Sequence, residues 1–119
     1  MIPADWTEHR RDDGERVGWI RPEGDRWVAV DVLGRELGDA TDWLEAEAAL
    51  EARGLAWLAE RWWLGPMPVR IAEVSTDRVL VVTDPFGAAA TIDAPIERIA
   101  LPWPAPAALT QRAPSGAGR

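Results

Sequence analysis

Eight tryptophans in 119 residues constrain this chain more than any other feature of its sequence. Each buried indole removes a large apolar area from water and needs a hydrogen-bond partner for its N–H. The chain has one phenylalanine, no tyrosine and no cysteine. The indoles must therefore fill a dense core, form an aromatic contact surface, or do both. A chain of this length buries about two-thirds of its unfolded surface on folding, so a core is expected without disulfides.

The net charge of the chain limits the classes of partner that it is expected to bind. The net charge is −7, and all 13 basic side chains are arginines, as is typical of proteins from GC-rich genomes. A nucleic-acid phosphate backbone requires a basic surface, so we expect no nucleic-acid binding. No apolar run reaches the length of a membrane helix, and the N-terminal residues lack a signal-peptide pattern. The sequence therefore predicts a soluble, cytoplasmic protein that does not bind membranes.

The N-terminal part of the sequence predicts two β-hairpins. Strands over Trp6–Arg11 and Arg16–Arg21 flank an Asp-Gly pair, which favours a type I′ turn. A Pro- and Gly-containing turn then leads into a strand over Arg26–Leu33. Alternation predicts that one face of this strand points to the core and the other away from it. The inward set is Val28, Val30 and Val32, and the outward set is Trp27, Ala29 and Asp31.

A single helix is predicted over Trp43–Arg53. Asp42 is a favourable N-cap, and Glu45 three residues later completes a capping-box pattern. Gly54 follows at the position where a Schellman stop ends a helix. The apolar stripe of this helix consists of Trp43, Ala46, Ala49 and Leu50, and its acidic residues Glu45, Glu47 and Glu51 are expected on a solvated face.

The segment 56–64 fits either a strand or a helical turn, and we favour a strand because the helix has just ended. In a strand, Trp62 and Trp63 point to opposite faces. Further strands are predicted at 69–74, at 79–84 with cover on both faces, and at 96–101. We expect one globular domain over 1–103 and a disordered Pro/Ala/Gly-rich tail over 104–119.

His9 is the only histidine in the sequence. It could act as a general base, or bind a metal with Asp12 or Asp13, but a metal site usually needs three or four donors. The sequence shows no nucleophile motif and no Gly-rich phosphate loop. We therefore interpret His9 as a structural residue of the first hairpin. The sequence nominates no catalytic, cofactor-binding or metal-ligating residue, and an enzyme is the less favoured class.

Three stretches resemble a group of small uncharacterised proteins from high-GC bacteria: DWTEHRRDDGERVGWIRPEGDRWVAVDVLGRELG, DWLEAEAALEARGL and VRIAEVSTDRVLVV. The resemblance covers about residues 5–103. It implies a compact free-standing domain and carries no implication about mechanism.

These patterns predict an α+β fold. We expect a mostly antiparallel, twisted sheet or small partly closed barrel of about six strands, with one central helix. The leading functional hypothesis is a non-enzymatic, Trp-rich, acidic protein-interaction module that associates with itself, as a homodimer, or with another protein. Its candidate interaction surface is Trp19, Trp27, Trp62 and Trp63. The alternatives are a small enzyme or ligand-binding protein with a Trp-lined pocket near His9, and an inhibitor-like binder of a basic protein.

Overall fold

A computed structural model describes residues 2–83 and 97–111 of the chain. It confirms the predicted α+β class, with antiparallel strands and one α-helix. The strands form two sheets, one of three strands and one of five, and the larger sheet curls as a half-barrel. The elements are β1 (Thr7–Arg10), β2 (Arg16–Glu23), β3 (Arg26–Asp31), α1 (Trp43–Arg53), a 3₁₀ helix (Ala56–Ala59), β4 (Trp62–Leu64), β5 (Met67–Val74), β6 (Val79–Thr83), β7 (Arg98–Leu101) and β8 (Leu109–Thr110).

The chain divides into two compact units, Met1–Trp57 and Leu58–Arg119. The first unit contains the sheet of order β1-β2-β3 and the helix. The second contains the sheet of order β7-β6-β5-β4-β8. The expectation that residues 1–103 fold as a single domain stays a prediction.

The first hairpin forms where the sequence predicts it, but its turn is of another type. A type I′ turn needs positive φ at both central residues, whereas no described non-glycine residue has a positive φ. The Gly14 N–H donates to the Arg11 carbonyl at 2.9 Å, and the Arg11 N–H donates to the Glu15 carbonyl at 2.9 Å. This is a type I turn followed by Gly14 at φ 88°, so one glycine is sufficient for the reversal.

An extra residue in β2 changes the packing of this hairpin. His9 pairs with Gly18 and Arg10 with Arg16, so Val17 is a bulge residue with no partner of its own on β1. Its side chain is fully buried in the cluster of residues that packs under α1. The bulge therefore adds an apolar side chain to the core without interrupting β1.

Both ends of α1 lie where the sequence predicts them. The Asp42 carboxylate accepts a hydrogen bond from the Glu45 N–H at 2.8 Å, and the Thr41 hydroxyl donates to the Glu45 carboxylate at 3.0 Å. At the other end the Gly54 N–H donates to the Leu50 carbonyl at 3.0 Å, with Gly54 at φ 59°. The ψ of Gly54 is −145°, outside the left-handed helical region that a Schellman stop requires, so the helix ends at the predicted glycine but not with the predicted motif.

The helix packs on the face of β3 that the sequence assigned to the outside. Ala29 belongs to the buried cluster with Ala46 and Leu50, and Trp27 packs against it. Val28 and Val30 on the other face are also buried. The predicted one-sided pattern was wrong because this strand is covered on both faces, and alternation then does not identify the helix side.

The loop after β3 is organised by Asp31, the one buried charged residue among those described. Its Oδ1 accepts hydrogen bonds from the backbone N–H groups of Leu33 at 2.9 Å and Arg35 at 3.1 Å. Burial raises the pKa of Asp31 above its ordinary value, although these two bonds oppose the effect. The carboxylate thus accepts hydrogen bonds from N–H groups of the turn, as a backbone carbonyl does within a strand.

The segment 56–64 is divided between two structures, so the predicted strand is only partly correct. Ala56–Ala59 forms a 3₁₀ helix, in which the Trp57 indole N–H donates to the Gly54 carbonyl at 2.8 Å. That bond connects the 3₁₀ helix to Gly54, the residue at which α1 ends. The strand begins at Trp62, and Trp62 is buried whereas Trp63 is partly exposed, as expected for opposite faces of a strand.

The second sheet continues into the segment that the sequence assigned to a tail. Leu109–Thr110 forms β8 and pairs with β4, and Leu109 is fully buried. The expectation of a tail from residue 104 therefore fails for the residues up to 111, because Leu109 supplies an apolar side chain that the second unit buries. Residues 112–119, the rest of the predicted tail, lie outside the described residues. So do Asp84, where one predicted strand ends, and Ile96, where the next predicted strand begins.

Candidate functional site: a charged cavity beside His9

His9 is a residue of β1, and its side chain points towards α1, on the side of the sheet that the helix covers. Its Nε2 donates to the Glu51 carboxylate at 2.9 Å, and its Nδ1 is 3.7 Å from the Glu47 carboxylate. The side chain of His9 is 14% exposed, against 29% for Glu47 and 59% for Glu51. The ring is therefore held between two carboxylates of one helix.

The spacing of the two glutamates explains this arrangement. Residues four apart on an α-helix lie one above the other on the same side, and Glu47 and Glu51 are four apart. The caps at Asp42 and Gly54 fix the limits of the helix and so determine which side faces β1. The predicted solvated acidic face is confirmed for Glu45 and Glu51, which are exposed, whereas Glu47 is partly buried. The sequence did not show that Glu47 and Glu51 approach His9.

A cavity of about 370 Å³ opens next to this histidine. It is lined by Arg11, Asp12 and Asp13 from the first turn and by Glu51 from α1. Arg11 Nη2 donates to Asp13 Oδ2 at 2.9 Å, and the Glu15 N–H donates to Asp13 Oδ1 at 3.0 Å. The Glu15 N–H, followed by Arg11, lowers the pKa of Asp13, so this carboxylate is ionised at neutral pH.

The lining of this cavity corrects one expectation. A ligand-binding alternative predicted a Trp-lined pocket near His9, whereas the described residues that line the cavity are three acidic residues and one arginine. Such a lining favours a charged ligand group over an apolar one. The sequence pointed to the first hairpin, but it could not show that Glu51 closes the cavity from a position 42 residues away.

The geometry around His9 does not resemble a metal centre. Glu47 and Glu51 approach opposite nitrogens of the ring, so the three side chains do not converge on one point. Among the residues that the structure describes, no group of three or more His, Asp or Glu side chains is placed to hold a metal ion. The arrangement can orient the imidazole and present carboxylates to the cavity.

Two of the four tryptophans predicted to form an interaction surface are buried. Trp19 is 3% exposed and Trp62 is 1% exposed, so neither can supply contact area to a partner. Trp19 packs near Trp6, with ring centroids 6.5 Å apart, and the Arg16 guanidinium lies 4.8 Å from its ring. Trp19, which the sequence placed at the surface, is therefore part of the core.

The other two tryptophans, Trp27 and Trp63, are partly exposed. Trp27 meets Trp43 of α1 edge to face, with ring centroids 5.0 Å apart. The sequence predicts Trp27 on the face away from the helix, and this contact shows the opposite. Its position follows from β3, on which Trp27 and Ala29 share the face that α1 covers.

Comparison with known protein families, with curated proteins and with solved structures finds no match to this chain. The resemblance to small proteins of high-GC bacteria therefore stays a prediction. Within 2–83 and 97–111, no helix combines the length and the apolar character that crossing a membrane requires.

Proposed function

We propose that this protein is a non-enzymatic interaction module that binds a positively charged segment of another protein. The observation that carries the proposal is the cavity beside His9, whose lining, within the described part of the chain, holds the carboxylates of Asp12, Asp13 and Glu51 and one cation. That cation, Arg11, already pairs with Asp13. The cavity therefore keeps an excess of negative charge that an entering guanidinium or ammonium group would balance.

The chemistry of the cavity suits such a group. Hydrogen bonds in which donor and acceptor are both charged are shorter and stronger than neutral ones. Asp12 and Glu51 can offer carboxylate oxygens from two sides, one from the turn and one from the helix. The net charge of −7 would also speed the encounter with a basic partner more than it would tighten the final complex.

An exposed apolar side chain lies on the same side of α1 as Glu51, two turns before it. Leu44 is 74% exposed, the largest exposure of any bulky apolar side chain described. Ala48, also exposed, follows one turn later, and Glu51 one turn after that. A partner with an apolar residue beside a basic one would contact both features. We propose that the partner is cytoplasmic, as the sequence predicts for this chain.

Calorimetric titration with synthetic peptides tests the proposal. The probe is a short peptide that contains arginine next to leucine, and its control carries neutral citrulline in place of arginine. We expect the arginine peptide to bind, the citrulline peptide to bind at least about tenfold more weakly, and added salt to weaken the binding.

A matched pair of variants locates the binding. Asp12→Asn removes a cavity carboxylate, whereas Asp39→Asn removes an exposed carboxylate from the loop before α1. We expect only Asp12→Asn to weaken the arginine peptide. Equal effects of the two variants, or no binding of any basic peptide, would contradict the proposal. Free arginine that binds as tightly as the peptide would instead support the small-molecule alternative.

A further inference from the structure

The β1 strand has an open edge. In the three-stranded sheet, β1 and β3 are the outer strands. The outer side of β3 is closed, because Trp27 exchanges backbone hydrogen bonds with Thr41 at 2.8 and 2.7 Å and the Leu37 N–H donates to the Ala29 carbonyl. No strand in the described part of the chain pairs with the outer side of β1. An open strand edge is a template for pairing with another chain.

The backbone groups on this edge belong to Glu8 and Arg10. The Arg11 N–H donates across the hairpin to the Glu15 carbonyl, so the backbone groups of Arg11 point to the β2 side. Backbone direction alternates along an antiparallel strand, so His9 also points to β2, and Glu8 and Arg10 point outward. The bulge at Val17 lies on β2 and leaves β1 regular.

The side chains of the same two residues carry opposite charges. Glu8 and Arg10 are two apart on a strand and so share one face of the sheet. Arg10 Nη2 donates to the Glu8 carboxylate at 3.0 Å, and Arg16 Nη1 donates to it at 3.2 Å. These contacts hold the glutamate and the arginine on the surface beside the open edge.

This pattern is complementary to itself. When two β1 strands run antiparallel about a two-fold axis at His9, each Glu8 lies opposite Arg10 of the other copy. Opposite charges directly across two strands stabilise the pair, and like charges destabilise it. An axis at Glu8 would instead place the two glutamates opposite each other. The charges therefore select one register.

We propose that two copies of this protein associate through their β1 strands, antiparallel about an axis at His9, and join their three-stranded sheets into one of six strands. The occupant of the edge is a second copy, because the alternating charge of the strand matches its own sequence. The association does not depend on the proposed binding of a basic segment. A contact of one short strand is smaller than the roughly 1,600 Å² interface of stable complexes, so the dimer is weak and depends on concentration and salt.

Sedimentation velocity across a wide range of concentrations, at low salt, tests the dimer with reciprocal charge variants. Glu8→Arg places arginine opposite arginine, and Arg10→Glu places glutamate opposite glutamate. Each variant alone should self-associate about tenfold more weakly than the wild type. A mixture of the two should form a heterodimer, because every arginine at these positions in one variant then faces a glutamate of the other.

The control is the ion pair of the β5–β6 hairpin, Glu73 with Arg78 at 3.1 Å. Glu73→Arg and Arg78→Glu should leave the association unchanged. A wild type that stays monomeric at every concentration overturns the proposal, as does a folded pair of β1 variants whose mixture does not associate.

Amide hydrogen exchange provides a second measurement that needs no variant. The amides of Glu8 and Arg10 should exchange more slowly as the protein concentration rises, whereas the His9 amide should be protected at all concentrations. If a charge variant fails to fold, the exchange rates of the wild type at different concentrations still test the proposed interface. Glu8 and Arg10 amides whose exchange does not depend on concentration, in samples that do associate, would place the interface elsewhere.

Discussion

At the scale of single residues, the first unit depends on positions where only one type of side chain fits. Gly18 has φ 151°, and a Cβ placed on it would lie 2.1 Å from the Val30 carbonyl oxygen and 2.8 Å from a methyl group of Leu50. Gly14 also has a positive φ, but nothing lies within 4 Å of its added Cβ. The two glycines therefore separate the effect of backbone conformation from the effect of contact.

We expect Gly18→Ala to lower the free energy of unfolding by about 3 kcal/mol or more, because backbone strain and overlap with a backbone atom add together. The control is Gly14→Asn, since asparagine tolerates this region and should cost under about 1 kcal/mol. Urea denaturation of both variants gives the comparison. Equal losses would show that contact with β3 and α1 contributes nothing at Gly18.

The buried carboxylate of Asp31 should make stability depend on pH. Because burial raises its pKa in the folded state, the folded protein keeps a proton that the unfolded chain releases above about pH 3.9. This group therefore lowers the free energy of unfolding as pH rises through that window towards the raised pKa. Asp31→Asn keeps an acceptor oxygen without the charge, so the advantage of the wild type over this variant should shrink as pH rises.

Urea denaturation of wild type and Asp31→Asn at a series of pH values measures this difference, and other titrating groups cancel because both proteins share them. Asp31→Ala is the second variant, since it leaves the Leu33 and Arg35 N–H groups without their acceptor and should cost about 1–3 kcal/mol. A stability difference between wild type and Asp31→Asn that rises with pH would contradict the expected sign.

At the scale of the elements, the helix was the most predictable part because its limits are encoded locally. Asp42 and Gly54 act on bonds within three or four residues of themselves, and α1 begins and ends where they predict. The two N-terminal hairpins also form where they are predicted, with Gly14 and Gly24 at positive φ in their turns, although the first turn is not of the predicted type. Signals that act over a few residues can be predicted from one sequence.

Asp42→Ala should lower the free energy of unfolding by about 0.5–2 kcal/mol, because the Glu45 N–H loses its acceptor at the start of α1. Asp39→Ala, three residues earlier in an exposed position, is the matched control and should change little. Denaturant midpoints measured for the two variants test the prediction. An unchanged midpoint in Asp42→Ala would show that the Asp42 side chain does not stabilise the start of α1.

Features that depend on distant residues were missed. The helix side of β3 could not be predicted because both faces are buried, so alternation carries no information there. The contact of His9 with Glu51 joins residues 42 apart, and no local pattern marks it. The candidate site was therefore predicted only as far as its hairpin, and its helical half came from the structure.

At the scale of the whole molecule, the segment after β7 belongs to the second sheet. Leu109 is fully buried in β8, whereas Leu44, on the outside of α1, is 74% exposed. A Pro- and Ala-rich composition predicted disorder here, and one leucine with its strand partner was enough to give a different result. Composition describes a segment as a whole, but burial is decided by individual side chains.

The same substitution at these two leucines tests that assignment. Leu109→Ala should lower the free energy of unfolding by about 2–5 kcal/mol, as for other buried leucines. Leu44→Ala, at the exposed position, should stay within about 0.5 kcal/mol of the wild type. Thermal and urea denaturation of both variants measure the contrast, and similar values would mean that β8 does not contribute to the stability of the second unit.

The bulge at Val17 has a consequence for the evolution of the chain. Deleting Val17 would restore regular pairing with β1, but it would remove a fully buried side chain from the cluster under α1. Deleting Arg16 would leave Val17 to pair with Arg10, and this one-residue slip would turn the Val17 side chain to the opposite face of the sheet. Among proteins that descend from the same ancestor, we expect the interval between His9 and Gly18 to accept substitutions but neither insertions nor deletions. Alignments of such relatives should be free of gaps across these ten positions.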